Sequence, residues 1–97
     1  MEIQHKDDGK KGSFYIENDG KRVAEMTWSL GPDGNVMIID HTEVDPSLQG
    51  QGISKKLVAA AVQWARAERI RVVPLCPFAK AVIDRTPEFQ DVLHTPR

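Results

Sequence analysis

The residues best suited to binding a ligand lie in one loop at positions 45–56, which reads DPSLQGQGISKK. Gly50 and Gly52 let the backbone turn sharply and come close to a ligand. A helical apolar periodicity begins directly after this loop, so the first N–H groups of a helix lie there without partners within the helix. Such groups bind anions, and Lys55 and Lys56 add positive charge. The pattern predicts a phosphate-binding loop, with a plain strand-to-helix turn as the alternative.

The loop differs from two widespread phosphate-binding patterns. A Walker loop needs Gly-Lys followed by Ser or Thr, and this loop does not contain that sequence. A dinucleotide fingerprint needs a third glycine at the position of Lys55. The glycine spacing alone therefore leaves the phosphate compound open.

Three other side chains could take part in a reaction, namely His41, Glu43 and Cys76. In a strand, His41 shares a face with Glu43, and histidine suits general-base work near neutral pH. Cys76 precedes Pro77 at the predicted start of a helix, where a thiol can be more reactive. The alternatives are a histidine bonded within the sheet and a small buried cysteine. Asp40, His41 and Cys76 have no recognised ligand spacing, so no metal site is expected.

The first half of the chain must supply the strands that position these residues. Alternating and β-rich segments are separated by turns such as Asn18-Asp19-Gly20, which predicts four strands in an antiparallel meander. The fourth strand begins as a continuous apolar run, as expected of a strand covered on both faces, and becomes polar at Asp40. The predicted strands cover residues 3–6, 13–17, 22–30 and 36–44.

The second half of the chain changes to a helical period. From Ile53, apolar residues recur three and four positions apart, which predicts an amphipathic helix of about four turns. A short strand follows at 71–76, irregular at Pro74 because proline has no N–H. Pro77 begins another helix, and a short one follows at 87–93. The fold class is therefore α/β, with a mixed, mainly antiparallel sheet and a right-handed crossover helix between the fourth and fifth strands.

The composition is that of one small globular domain, residues 1–97. With 13 Lys+Arg, 14 Asp+Glu and a net charge of −1, a general nucleic-acid binder is not expected. The single cysteine excludes an internal disulfide and fits a reduced compartment. The chain has no apolar run long enough for a membrane span and no signal-peptide core at its start, so we expect a cytoplasmic protein. Phe14, Trp28, Trp64 and Phe89 are expected in the core, and His5 and His94 in solvent.

Two segments together resemble a known family. The stretch 41–57, HTEVDPSLQGQGISKKL, resembles the acetyl-CoA loop of the GNAT superfamily of N-acetyltransferases, whose pattern is Gln/Arg-x-x-Gly-x-Gly/Ala. Gln49, Gly52 and Ser54 occupy the fixed positions, with Ser54 where glycine or alanine is usual. The HTEV before the loop and the CPFAKAVIDRTPEF after the next strand resemble a very compact branch of that superfamily. The resemblance covers the chain from about Arg22 onward.

The resemblance implies where a cofactor lies. The fourth and fifth strands splay apart, the pantetheine arm of acetyl-CoA lies between them, and the pyrophosphate rests on the N–H groups of residues 51–55. The thioester then lies near the implied catalytic candidates, His41, Glu43 and Cys76. The implied cofactor-binding residues are Val44, Gln49, Gly50, Gln51, Gly52, Ile53, Ser54, Lys55 and Lys56.

The implied function is direct transfer of acetyl from acetyl-CoA to an amine. Many larger relatives use a tyrosine after the fifth strand to protonate the departing CoA thiolate, but the only tyrosine here is Tyr15, in the second strand. Cys76 could supply that proton or accept the acetyl group itself. The chain has no room for the helices that usually wall the acceptor site, so the amine, on a small molecule or a protein, stays open.

Two other functions remain as alternatives. One is a domain that holds CoA or acyl-CoA with little or no turnover, which the missing phenol favours. The other is a phosphate-binding or protein-interaction domain unrelated to CoA. We expect a monomer or a weak homodimer, without a nucleic-acid or membrane partner.

Overall fold

The structure is a computed structural model that describes residues 2–93, so the prediction for His94 lies outside the described residues. Five strands, two α-helices and two 3₁₀ segments follow one another in these residues. In chain order they are β1 Gln4–Asp7, β2 Lys11–Asn18, β3 Lys21–Leu30, β4 Val36–Val44, a 3₁₀ turn Pro46–Leu48, α1 Ile53–Glu68, β5 Arg71–Pro74, α2 Pro77–Asp84 and a 3₁₀ segment Pro87–Val92.

The strands form one sheet in sequence order, β1-β2-β3-β4-β5. The first four are antiparallel neighbours, and β5 pairs parallel with β4. This confirms the predicted mixed sheet, with α1 as the crossover between the two parallel strands. No helix among residues 2–93 is both long and apolar enough to cross a membrane.

Helix α1 presents one apolar stripe to the sheet. It ends at Arg69, which adopts a left-handed conformation (φ 59°) and donates its N–H to the carbonyls of Ala65 and Arg66. The buried residues of α1 recur three and four positions apart, which is why this segment folds as a helix on a sheet. They are Ile53, Leu57, Val58, Ala61, Val62 and Ala65. The sheet face beneath them, called the inner face here, carries Phe14, Ile16, Ala24, Met26, Trp28, Met37 and Ile39.

The predicted aromatic core is confirmed: Phe14, Trp28 and Phe89 are buried, and Trp64 packs against them. His5 is exposed as a residue, as predicted, but its ring is partly covered. It pairs with Phe14 across β1 and β2, which brings it to the inner face. The two rings stack with centroids 4.1 Å apart, and the His5 side chain is only 23% exposed. The alternation of a strand that reaches the edge of the core thus turns the His5 ring toward the inner face, while the residue as a whole stays exposed.

Several strand boundaries differ from the sequence prediction by one or two residues. Strand β2 covers Lys11–Asn18 rather than 13–17, and β3 begins at Lys21 rather than at 22. Strand β1 lies at Gln4–Asp7 rather than 3–6, and β5 ends at Pro74 rather than at Cys76. The N–H groups of Leu75 and Cys76 both donate to the carbonyl of Ile39, at 3.1 Å, so the chain turns away from the ladder there.

A β-bulge in β4 changes which side chains face the helices. Trp28 lies opposite Ile39, but the preceding residue, Thr27, lies opposite His41. Asp40 is therefore the extra residue of the bulge, and both it and His41 are exposed. Beyond the bulge, Thr42 returns to the buried side of the strand.

Candidate active site

A cleft of about 980 Å³ opens beside the C-terminal half of β4. One wall is the end of β4 with the start of β3, and a second is the loop that leads into α1. Helix α2 contributes Phe78 and Val82 to a third wall, together with Arg85 directly after the helix. The cleft therefore joins the predicted phosphate loop to the strand that carries the predicted catalytic residues.

The loop before α1 borders this cleft and has a row of free N–H groups. Gly50 and Gly52 have φ of 83° and 71°, a left-handed conformation that side chains disfavour. The first hydrogen bond of the helix is donated by Lys56 to the carbonyl of Gly52, at 3.1 Å. For residues 50–55, no N–H has a hydrogen-bond acceptor among the residues that the structure describes. Successive free N–H groups at a helix start make a site for an anion such as phosphate.

Asp45 shapes the approach to this loop. Its carboxylate accepts hydrogen bonds from the N–H and the hydroxyl of Ser47, at 2.9 and 2.8 Å. These bonds lower the pKa of Asp45 below its ordinary value, and the bond from the Ser47 N–H has the larger effect. The ionised carboxylate therefore caps the 3₁₀ turn that leads from β4 into the loop.

Positive charge borders the cleft. Lys55 lines it from the loop, Arg85 from the position directly after α2, and Arg22 from β3. Lys56, the next residue, is exposed but does not line the cleft, because successive residues point in different directions around a helix. Three cationic side chains therefore border the cleft, and that of Arg22 is already paired with Glu25.

The parallel strands separate beside the cleft, as the resemblance implies. The register of β4 and β5 ends with Ile39 opposite Pro74, whereas β4 continues to Val44. The last residues of β4 thus have β3 as a neighbour on one side and an open backbone edge on the other. Thr42, Glu43 and Val44 line the cleft along this edge.

His41 and Glu43 lie together on the outer face of β4. Their side chains are 64% and 74% exposed, with Nε2 of His41 3.1 Å from Oε1 of Glu43. Glu43 lines the cleft, and His41 lies just outside it. A carboxylate at this distance can accept a hydrogen bond from one imidazole N–H. The other ring nitrogen then remains free to act as a base.

Cys76 lies deeper than the sequence suggested. It precedes the first residue of α2, as predicted, but only 2% of it is exposed, and it does not line the cleft. Its thiol donates to the hydroxyl oxygen of Thr42, with 3.3 Å between Sγ and Oγ1. Thr42 therefore stands between Cys76 and the cleft.

Most of the predicted cofactor residues come together. Those that line the cleft are Val44, Gln49, Gly50, Gly52, Ile53, Ser54 and Lys55. Gln51 and Lys56 belong to the same loop but are not part of the lining. The sequence reasoning missed Thr42, the α2 residues Phe78 and Val82, and Arg85 directly after α2, because a strand's bulge and the docking of a second helix decide their positions.

Comparison with known proteins assigns the family. Residues 13–92 match the model of the family described as GCN5-related N-acetyl-transferase. The solution structure of a GCN5-like protein from Staphylococcus aureus is 35% identical over 97% of this chain and 90% of that chain, with a TM-score of 0.72. The chain belongs to the GCN5-related N-acetyltransferase family, and its resemblance to the GNAT superfamily is confirmed.

More distant solved structures share the fold. A ribosomal-protein-alanine N-acetyltransferase from Brucella melitensis is 18% identical, covering 93% of this chain and 66% of that chain, with a TM-score of 0.62. The aminoglycoside N-acetyltransferase AAC(6′)-Iy, solved with CoA, is 20% identical, covering 91% and 69%, with a TM-score of 0.57. At such identities the likeness concerns the fold alone.

Proposed function

We propose that this protein transfers the acetyl group of acetyl-CoA directly to an amine. One observation carries the proposal: the loop whose N–H groups at residues 50–55 are free borders a cleft that continues along the open edge of β4. A cofactor held by its phosphates at the loop would place its far end beside Thr42 and Glu43. Family membership supports acetyl transfer, and the CoA complex of a fold neighbour supports the cofactor.

The loop fits a pyrophosphate in both charge and shape. Gly52 has open space where a side chain would stand, since no atom lies within 4 Å of a Cβ built there. Lys55 and Arg85 supply cations that line the cleft, and the helix dipole adds to them. When bound, acetyl-CoA supplies an activated acyl group, and the residues around it have to orient that group and move protons.

His41 is the proposed general base. An alkyl amine with an ordinary pKa of about 10.4 is neutral in about one molecule in a few thousand at pH 7, so a base near the acceptor raises the reactive fraction. His41 is exposed enough to meet an amine that arrives from solvent, and Glu43 orients the ring at 3.1 Å. We assign Glu43 this positioning role.

The acceptor side of the site is open. Only residues 8–10 separate β1 from β2, so no helix covers the outer face of the sheet at that connection. Tyr15 is buried on that face beneath the guanidinium of Arg22, 3.9 Å from its ring, and β3 lies between it and β4. An open face can admit either a small amine or an amine on a protein surface, and Tyr15 is not placed to protonate a leaving group.

A panel of amines tests the proposal against the alternative of a CoA-binding domain without turnover. We expect release of free CoA thiol from acetyl-CoA only when an amine is present, with an acetylated amine detected by mass spectrometry. Binding of CoA without thiol release for any polyamine, aminoglycoside, amino acid or peptide amine would favour the binding domain. Nothing in the comparisons supports that alternative. The cytoplasmic location and the monomeric or weakly dimeric state stay predictions.

A further inference from the structure

Thr42 is the one buried polar side chain that lines the cleft, among the residues that the structure describes. It is 6% exposed, and the thiol of Cys76 donates to its oxygen at 3.3 Å. Within residues 2–93 no side chain or carbonyl accepts the hydrogen of the Thr42 hydroxyl. The Thr42 hydroxyl accepts a hydrogen bond from the Cys76 thiol, and its own hydrogen is unused. It can therefore donate that hydrogen to a ligand in the cleft.

The position of Thr42 along β4 matches the far end of a bound cofactor. It lies three residues before Asp45, about 10 Å along the strand from the turn that starts the phosphate loop. It is also beyond the last β4–β5 pair at Ile39 and Pro74, where the backbone edge is open. A ligand anchored at the loop and extended along this edge would pass the Thr42 hydroxyl.

We propose that Thr42 is a catalytic residue that protonates the departing sulfur of CoA, and that Cys76 is a positioning residue that supplies Thr42 with a replacement proton. The inference rests on the proposed function. It differs from a role in which Cys76 itself contacts the acetyl group, because Thr42 separates the thiol from the cleft.

The amine nitrogen forms a bond to the acetyl carbon, the carbon–sulfur bond breaks, and its electron pair passes to the CoA sulfur. The Thr42 hydroxyl proton goes to that sulfur, and the Cys76 thiol proton goes to the Thr42 oxygen. The proton lost by the amine goes to His41. After CoA leaves, water in the cleft returns a proton to Thr42, which passes one back to Cys76, and His41 releases its proton to solvent.

The Cys76 thiol that donates to the Thr42 hydroxyl makes the pair a better proton donor than threonine alone. An alcohol is a far weaker acid than a thiol, so an isolated threonine would be a poor proton donor to a thiolate. When Thr42 receives a proton as it gives one up, the acid that is consumed is the thiol. The pair therefore does, with two small side chains, what a phenol does in many larger relatives.

The test compares Thr42→Val, which keeps the shape, with Thr42→Ser, which keeps the hydroxyl, and Cys76→Ala. We expect Thr42→Val to lower kcat about 100-fold while KM for acetyl-CoA changes less than about twofold. Thr42→Ser should stay within about fivefold of wild type. Cys76→Ala should also lower kcat, and the double variant Thr42→Val with Cys76→Ala should be no slower than Thr42→Val alone, because both act in one chain. Full kcat in folded Thr42→Val, or multiplying effects in the double variant, would overturn the proposal.

A binding measurement separates this proposal from the proposed function. Affinities for CoA and for desulfo-CoA, which lacks the sulfur, are compared by calorimetry at a pH where the CoA thiol ionises. Wild type should prefer CoA by about tenfold, because a hydrogen bond to a charged sulfur is among the stronger ones, and Thr42→Val should lose that preference. An equal preference in wild type and Thr42→Val contradicts the contact. A wild type that keeps the preference and acetylates no amine contradicts the function while supporting the contact.

Discussion

Ile39 lies opposite Pro74 at the last paired position of the two parallel strands, and its carbonyl accepts the N–H groups of both Leu75 and Cys76. Proline at that point cannot donate to a ladder, and the two following N–H groups converge on one oxygen. The fifth strand therefore stops while the fourth continues. The open edge that results is the wall of the cleft on which the proposed function depends.

Gly52→Val should abolish CoA binding without unfolding the protein. The left-handed φ of 71° makes a branched side chain cost about 1–2 kcal/mol, although no atom is close enough for a clash. The new side chain would also cover the free N–H groups. Gly34→Val is a matched control, since Gly34 has φ of 72° and equally open surroundings but lies in a distant turn. Calorimetric titration with CoA should show binding in the control only, and similar affinities in both variants would contradict the loop assignment.

Lys55→Ala and Lys56→Ala should differ although the residues are neighbours. Lys55 lines the cleft and Lys56 does not, while both side chains are exposed. Lys55→Ala should weaken CoA binding about threefold at low salt and reduce its salt dependence, since an exposed charge contributes modestly and is screened. Lys56→Ala should have a smaller effect. Titrations at two ionic strengths check this, and equal effects would show that the loop is oriented differently in the complex.

His41→Ala should lower turnover more than it lowers CoA affinity. The imidazole lies just outside the cleft, so it can act on the amine without holding the cofactor. Glu43→Gln should lower turnover less, because the amide still accepts a hydrogen bond from the ring. Turnover measured between about pH 6 and pH 9 checks the assignment. The same rates for His41→Ala and wild type across that range would remove His41 from the mechanism.

His5 should make stability depend on pH. Its burial against Phe14 lowers the pKa of His5 below 6.5, an effect that Asp7 partly offsets by raising it. The unfolded chain then binds more protons than the folded one, so the free energy of unfolding is fully retained above about pH 6.5 and falls as the pH drops below that value.

The control for that prediction is His5→Phe, which keeps a ring on Phe14 and does not titrate near neutral pH. Urea unfolding at about pH 7 and pH 5 should show a loss for wild type that His5→Phe does not share. Parallel losses in the two proteins would mean that other groups are responsible.

Local sequence signals predicted the parts of the site that local interactions determine. Gly50, Gly52 and the apolar period after them indicated the loop and the start of α1. Thr42 could not be placed in the same way, because its direction depends on the bulge that sets Thr27 opposite His41 on another strand. The burial of Cys76 likewise depends on where α2 docks, which the local pattern of that helix does not contain.

The most direct test follows acetyl-CoA labelled with ¹³C at the acetyl carbonyl, mixed with ¹⁵N-labelled protein in one NMR titration. The account predicts that the amide resonances of residues 50–55 shift before any amine is added. It further predicts that the labelled carbon changes from thioester to amide only when an amine and the wild-type protein are both present. Shifts confined to other residues, or a carbon that stays a thioester with every amine tested, would contradict it.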